Sequence, residues 1–142
     1  MFERYTIEAG RVIFFARAET SRLGSPSIQV EHLALALLID SVPLVSRFIA
    51  LEEIPVLREA VERTMEIHEP TPTSVDLPMS QSAKEALKST EKLAEDHRHS
   101  KIRPIHVLAA LVTMPGDLAG LLTAHGIGRE AVMALLLEDS GL

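Results

Sequence analysis

The sequence predicts an all-α domain of eight helices, arranged as two pseudo-symmetric sets of four, and three observations carry that prediction. A shift of 74 positions lays Ile28 on Ile102, His32-Leu33 on His106-Val107, Leu37-Leu38 on Leu111-Val112, Leu44 on Leu118 and Phe48 on Leu122. Similar residues at one constant offset are the signature of a tandem structural repeat. Inside each copy the apolar positions recur three or four residues apart, as at Ala9, Val12, Ala16 and Leu23, and no stretch sustains the alternation of a half-buried strand. Aromatic residues are limited to four Phe and one Tyr, which disfavours a β-rich core.

The first helix of each copy follows a hydroxyl residue, Thr6 or Ser80, that can accept from an unpaired N–H of the first turn. These helices are expected over about Thr6 to Arg22 and Ser80 to His97, the first closed by the turn at Gly24-Ser25-Pro26. The second helices are the most apolar. They cover Glu31 to Asp40 and Ile105 to Met114, with Pro104 at a first-turn position that tolerates proline. Neither Val30 nor Pro104, just ahead of them, offers a side-chain acceptor for a cap. Third helices begin near Val42-Pro43 and Gly116-Asp117, and fourth helices cover Val56 to Ile67 and Arg129 to Glu138. The Pro-rich segment between the copies reads as a stiff extended linker, giving repeat 1 over 1–67, a linker over 68–79 and repeat 2 over 80–142 within a single domain. Leu44, Val45 and Phe48 in the first copy and Leu118 and Leu122 in the second are assigned to the core or the seam between repeats.

Composition bounds the function. A chain of 142 residues with 46% hydrophobic content can bury one core, and the absence of cysteine excludes disulfides and thiolate chemistry and fits a reducing compartment. The charged amino terminus and the short apolar run from Leu33 to Ile39 give no signal core and no membrane span, so a cytoplasmic protein is expected. A formal net charge of −6 argues against nucleic acid as a partner, since phosphates are bound by basic faces.

Tyr5-Thr6 followed by Ala9, then Arg22-Leu23-Gly24, then Ile28 to Leu37 with its Glu31-His32-Leu33 opening an apolar helix, resembles the amino-terminal repeat domain of the Clp chaperone ATPases, the Hsp100 unfoldases. Ser80 to Ala83 and Ile102 to Leu111 resemble that family's second repeat more distantly. The resemblance implies a non-catalytic module that recognises protein substrates, adaptor proteins or a Clp ATPase, with no cofactor. It also implies a phosphoarginine site at Thr6 and Glu31, where a carboxylate pairs the guanidinium and a helix amino terminus favours the phosphate. The second such site, Ser80 and Ile105, is degenerate, because an apolar Ile105 cannot pair a desolvated cation. Glu31 equally reads as a first-turn acid favouring the helix dipole, an effect of about 0.3–1 kcal/mol, and Thr6 and Ser80 as simple caps. A free-standing decoy, a regulator or a dimerising scaffold is the alternative, and a small helical acid/base enzyme a more distant one.

Other candidate chemistry fails on context. His97 and His99 lie two apart and His68 and His125 are scattered, so no zinc spacing is present and no metal site is expected. Gly126 to Ala131 matches a loose dinucleotide fingerprint but follows a helical pattern, and a helix-ending Gly126 explains it better. His32 and His106, at equivalent positions on apolar helices, are expected to be packed inside with a hydrogen bond, and Asp139-Ser140-Gly141 to be a frayed terminus.

Overall fold

The computed structural model describes residues 2–138; the Asp139-Ser140-Gly141 end lies outside them. Eight helices are described, α1 (Ile7–Arg22), α2 (Val30–Asp40), α3 (Val42–Val45), α4 (Glu53–Glu62), α5 (Gln81–Asp96), α6 (Pro104–Thr113), α7 (Asp117–Ala124) and α8 (Arg129–Glu138). Thr6 Oγ1 accepts the Ala9 N–H at 3.1 Å and Ser80 Oγ accepts the Ala83 N–H at 3.1 Å, so both first helices start on the hydroxyl caps that the sequence marks. α2 and α6 lie at the centre and pack on each other, α2 also against α1 and α4, and α6 against α5, α7 and α8. That position explains their composition: Leu33 to Leu38 and Val107 to Val112 are all buried, which only a helix surrounded by neighbours can do.

Two expectations are corrected. The fourth helix of repeat 1 spans Glu53–Glu62 rather than Val56 to Ile67. Pro55 falls within its first turn, where the N–H that proline lacks has no intrahelical partner, and Ile54, Leu57 and Val61 form the buried face. Phe48, assigned to the core or the seam, packs half-buried against the core, and its counterpart Leu122 is enclosed. The central helices do have caps. Their N-cap residues are Gln29 and Arg103, and His32 Nδ1 accepts the Gln29 N–H and His106 Nδ1 the Arg103 N–H, each at 2.9 Å. An imidazole thus performs at the third helical position what Glu or Gln does in a capping box.

Both first helices end in the same way. In α1 the Gly24 N–H donates to the Ser21 carbonyl and the Ser25 N–H to the Thr20 carbonyl; in α5 the Arg98 N–H donates to Glu95 and the His99 N–H to Ala94. This paired closure needs a residue at positive φ, and Gly24 (φ +67°) and Arg98 (φ +58°) supply it. The segment after α4 is strapped to that turn in repeat 1. The His68 and Thr71 N–H groups donate to the Leu23 and Ser21 carbonyls, and the Arg17 guanidinium donates to the carbonyls of Thr73 and Val75. The strap passes so close that a Cβ on Gly24 would strike the backbone carbonyl of Glu69.

The two repeats are interleaved rather than side by side. Thr6 N–H donates to the Ile102 carbonyl and Ile102 N–H to the Arg4 carbonyl, each at 2.9 Å. The same pattern recurs 74 residues on, with Ser80 N–H to Ile28 at 2.9 Å and Ile28 N–H to Pro78 at 2.8 Å. Each repeat therefore opens by pairing, as a single parallel bridge, with the loop between the first two helices of the other repeat.

Candidate functional site

That crossed pairing decides which residues meet. Because the segment entering α1 bonds to Ile102, the amino terminus of α1 sits beside that of α6; by the same symmetry the amino terminus of α5 sits beside that of α2. A cleft opens at each junction. The larger, about 660 Å³, is lined by Thr6, Glu8 and Arg11 from α1 and its cap, Asp40 to Leu44 with Arg47 from the α2–α3 corner, Arg103 to Ile105 from the start of α6, and Leu135 and Glu138 from α8. The smaller, about 220 Å³, is lined by Val30 and Glu31 at the start of α2, Ser82 in α5, and Met114 to Ala119 with Leu111 around the α6–α7 corner. The offset of 74 carries Ile105 onto Glu31, Glu8 onto Ser82, Asp40 onto Met114, Pro43 onto Asp117 and Leu44 onto Leu118. The clefts are two versions of one place.

The sequence-derived site residues distribute accordingly. Thr6 and Glu31, expected in one site, line different clefts: Thr6 shares its cleft with Ile105, and Glu31 lies opposite the start of the helix that Ser80 caps. The oxygens of Thr6 and Ser80 are each occupied by one backbone N–H. Ile105 is buried. What brings the residues together is the exchange of entering segments, which neither helical periodicity nor the offset encodes. The one trace of it in sequence is an apolar residue at matching places in otherwise polar loops, Ile28 and Ile102.

The two clefts differ in charge. In the larger, Arg11 and Asp40 form a forked ion pair between α1 and α2, with Nη2–Oδ1 at 2.8 Å and Nε–Oδ2 at 3.2 Å, and this pairing raises the already high pKa of Arg11. Arg47, Arg103, Glu8 and Glu138 complete a mixed-charge rim around the apolar Leu44, Ile105 and Leu135. The charged side chains lining the smaller cleft are Glu31 and Asp117, both acids, set among Val30, Met114 and Leu118. Asp117 was not singled out from sequence; its placement depends on the α6–α7 corner folding back toward α2. Chemically, the smaller cleft suits a cation on an apolar stem, and the larger an amphipathic segment with both signs of charge. No histidine lines either cleft.

His32, His99 and His106 lie instead under the central helix caps. His106 Nε2 faces His99 Nδ1 at 2.8 Å, and both rings are buried. In repeat 1 the place of His99 is taken by Ser25, too short to reach, and the fully buried His32 keeps an Nε2 without a partner. Burial pushes the His32 pKa down to about 4, opposed by the charge of Glu19. With Nδ1 accepting from Gln29, the neutral ring carries its proton on Nε2.

Residues 78–139 match the family described as the Clp repeat (R) N-terminal domain. Over those residues, which lie in its second repeat, the chain is similar to that family. Its curated relatives include the chaperone protein ClpB of Mycobacterium bovis and of Mycobacterium tuberculosis, each 26% identical over 125 residues that make up 85% of this chain. The chain spans about 15% of the length of those relatives. Among solved structures, it shares the fold of the N-terminal domain of the caseinolytic protease associated chaperone ClpD from Arabidopsis thaliana, with a TM-score of 0.72, 23% identity, and 97% of this chain and 95% of that one covered. The Hsp104 N-terminal domain from Candida albicans superimposes with a TM-score of 0.75 at 19% identity, covering 96% and 91% of the two chains. Among the described residues, no single helix is long and apolar enough to cross a membrane.

Proposed function

We propose that this chain is a Clp N-terminal domain, a non-catalytic recognition module that binds protein substrates or adaptor proteins on behalf of a Clp-type ATP-dependent unfoldase. Its specific contact is a cationic side chain, arginine or phosphoarginine, held in the smaller cleft by Glu31. The observation that carries this reading is the lining of that cleft: two carboxylates, Glu31 and Asp117, with apolar walls for the methylene stem and no cationic side chain of the protein in competition. A carboxylate that pairs a guanidinium through two parallel N–H···O bonds gives both affinity and orientation. The relatives support the broader part of the reading, since the proteins it resembles are named as chaperones or as parts of them.

Isothermal titration with an arginine peptide, its phosphoarginine counterpart and a glutamine control tests it. Binding near one equivalent that needs the guanidinium and falls at least tenfold in Glu31→Ala is the expected result. If Thr6→Ala weakened binding as much as Glu31→Ala, the ligand would span both clefts and the assignment to the smaller one would be wrong. Equal affinity for the glutamine control would sink the cationic reading altogether.

A further inference from the structure

Glu31 reaches the smaller cleft from the first turn of α2, and that turn is held from both sides. Upstream, Ile28 is fixed by two backbone bonds to the segment entering α5: its N–H donates to the Pro78 carbonyl at 2.8 Å, and its carbonyl accepts the Ser80 N–H at 2.9 Å. Since Ser80 caps α5, and α5 supplies Ser82 to the same cleft, this pairing fixes the approach of the two walls. Downstream, His32 is wholly buried, and its Nδ1 accepts the Gln29 N–H at 2.9 Å. Glu31 lies between these anchors. Among the described residues its side chain has no hydrogen bond or ion pair. A carboxylate without a partner of its own is aimed by its backbone, and the first turn of a helix is the part that frays when its N–H groups find no acceptor.

The geometry points to His32 as the positioning residue of this site: by accepting the Gln29 N–H from inside the core, it locks the first turn of α2 and so holds the Glu31 carboxylate in the smaller cleft. The inference rests on the reading of that cleft as a site for a cationic side chain, and adds the group that keeps it in shape.

Repeat 2 carries the same device with nothing to aim. His106 Nδ1 accepts the Arg103 N–H at 2.9 Å, but the residue before it is the apolar Ile105. The rings also differ in their second nitrogen. His106 Nε2 meets His99 Nδ1 at 2.8 Å, whereas His32 Nε2 has no partner, so the bond to Gln29 is the one hydrogen bond of the His32 ring among the described residues. Replacing His32 therefore removes the cap and no other hydrogen bond, and His106 supplies a matched control at the other cleft.

A double-mutant cycle on the whole chain, read by isothermal titration with the arginine peptide, tests this. His32→Leu removes the acceptor but keeps an apolar side chain in the core, and is expected to weaken binding about tenfold, a coupling ordinary for residues in contact. His32→Met takes its place if circular dichroism shows that the leucine variant does not fold. His32→Gln should stay within about threefold of wild type, because a glutamine at the third helical position can reach back to the N-cap N–H. His106→Leu, which removes the other cap, should also stay within about threefold, as a site remote from Glu31. In a Glu31→Ala background His32→Leu should weaken binding no further, an outcome that general loosening of the fold does not produce. Wild-type affinity in His32→Leu, an equal loss in His106→Leu, failure of His32→Gln to rescue, or additive losses in the cycle each overturn the inference and leave the cleft's assignment standing. A wild-type chain with no affinity for the arginine peptide, or with affinity indifferent to Glu31→Ala, overturns that assignment and this inference with it.

Discussion

The turn that follows the first helix is built twice in this molecule, once with Gly24 and once with Arg98, and the two versions sit in different surroundings. In repeat 1 the segment after α4 is strapped across the turn, bonded to Ser21 and Leu23, and leaves no room for a side chain. In repeat 2 the turn carries a full arginine at φ +58°. Beneath it the two copies diverge again, an imidazole pair at His99 and His106 against Ser25 and an unpaired His32 nitrogen. The hydrogen-bonded frame of the loop is therefore what duplication preserved, while its filling answers to whatever lies next to each copy. Glycine at the first site is required by a neighbour; arginine at the second is tolerated by the absence of one.

The strongest way to break this comparison is to give Gly24 a side chain. Gly24→Ala combines a positive φ with a methyl group directed into the Glu69 carbonyl and the backbone of His68, so either the turn or the strap must move. A loss of about 3 kcal/mol is expected, from strain and overpacking together. Arg98→Ala, the same side chain at the matching place, should change stability by less than about 0.5 kcal/mol, as surface substitutions usually do. Urea unfolding of both variants checks the pair. A loss at Gly24→Ala no larger than the about 1–2 kcal/mol that positive φ costs by itself would mean that the strap imposes nothing.

The histidines sharpen the contrast through pH. His32 has a folded-state pKa of about 4 against an ordinary value of about 6.5, because its charged form would be buried. Below about pH 6.5 the unfolded chain takes up a proton at this ring that the folded chain refuses until about pH 4. Stability from this group is therefore complete above pH 6.5 and lost as pH falls toward 4, by about 3 kcal/mol in all. His32→Gln keeps an acceptor that can reach the Gln29 N–H and removes the titrating group. The quantity to measure is the difference between wild type and His32→Gln in unfolding free energy at pH 7 and at pH 4.5. Other groups contribute equally to both proteins and cancel. A difference that stays constant with pH would show that His32 does not resist protonation, and would return the pH dependence to other groups.

Much of this architecture was legible in the sequence, and the residues show why. Thr6 and Ser80 announce their helices because capping is local chemistry between a side chain and an amide three residues away. The central helices are legible because a helix enclosed on all sides must be apolar on all sides, as Leu33 to Leu38 and Val107 to Val112 are. What sequence reasoning missed depends on tertiary contacts. Pro55 masked the start of α4, since only its position in the first turn makes it acceptable. Val30 and Pro104 pointed to uncapped helices, because the acceptor comes from a histidine at the third helical position rather than from the preceding side chain. The candidate site was half legible. Glu31 and Ile105 stand at equivalent places as the offset requires, but their partners come from the other repeat, and no local pattern records that exchange.

The finest test of the comparison replaces Arg98 by the residue its counterpart already has. A non-glycine residue in the left-handed region carries a cost of about 1–2 kcal/mol, from the approach of its Cβ to the neighbouring carbonyl. Glycine removes that cost but adds about 0.5–1 kcal/mol through the greater freedom of the unfolded chain. The remainder favours Arg98→Gly by about 0.5 kcal/mol. The closing hydrogen bonds from Arg98 and His99 to Glu95 and Ala94 come from the backbone and survive the change, so the gain isolates conformational strain from bonding. A small rise in melting temperature is the expected outcome. A fall would mean that the Arg98 side chain makes a stabilising contact, and that repeat 2, like repeat 1, has chosen its turn residue to suit a neighbour.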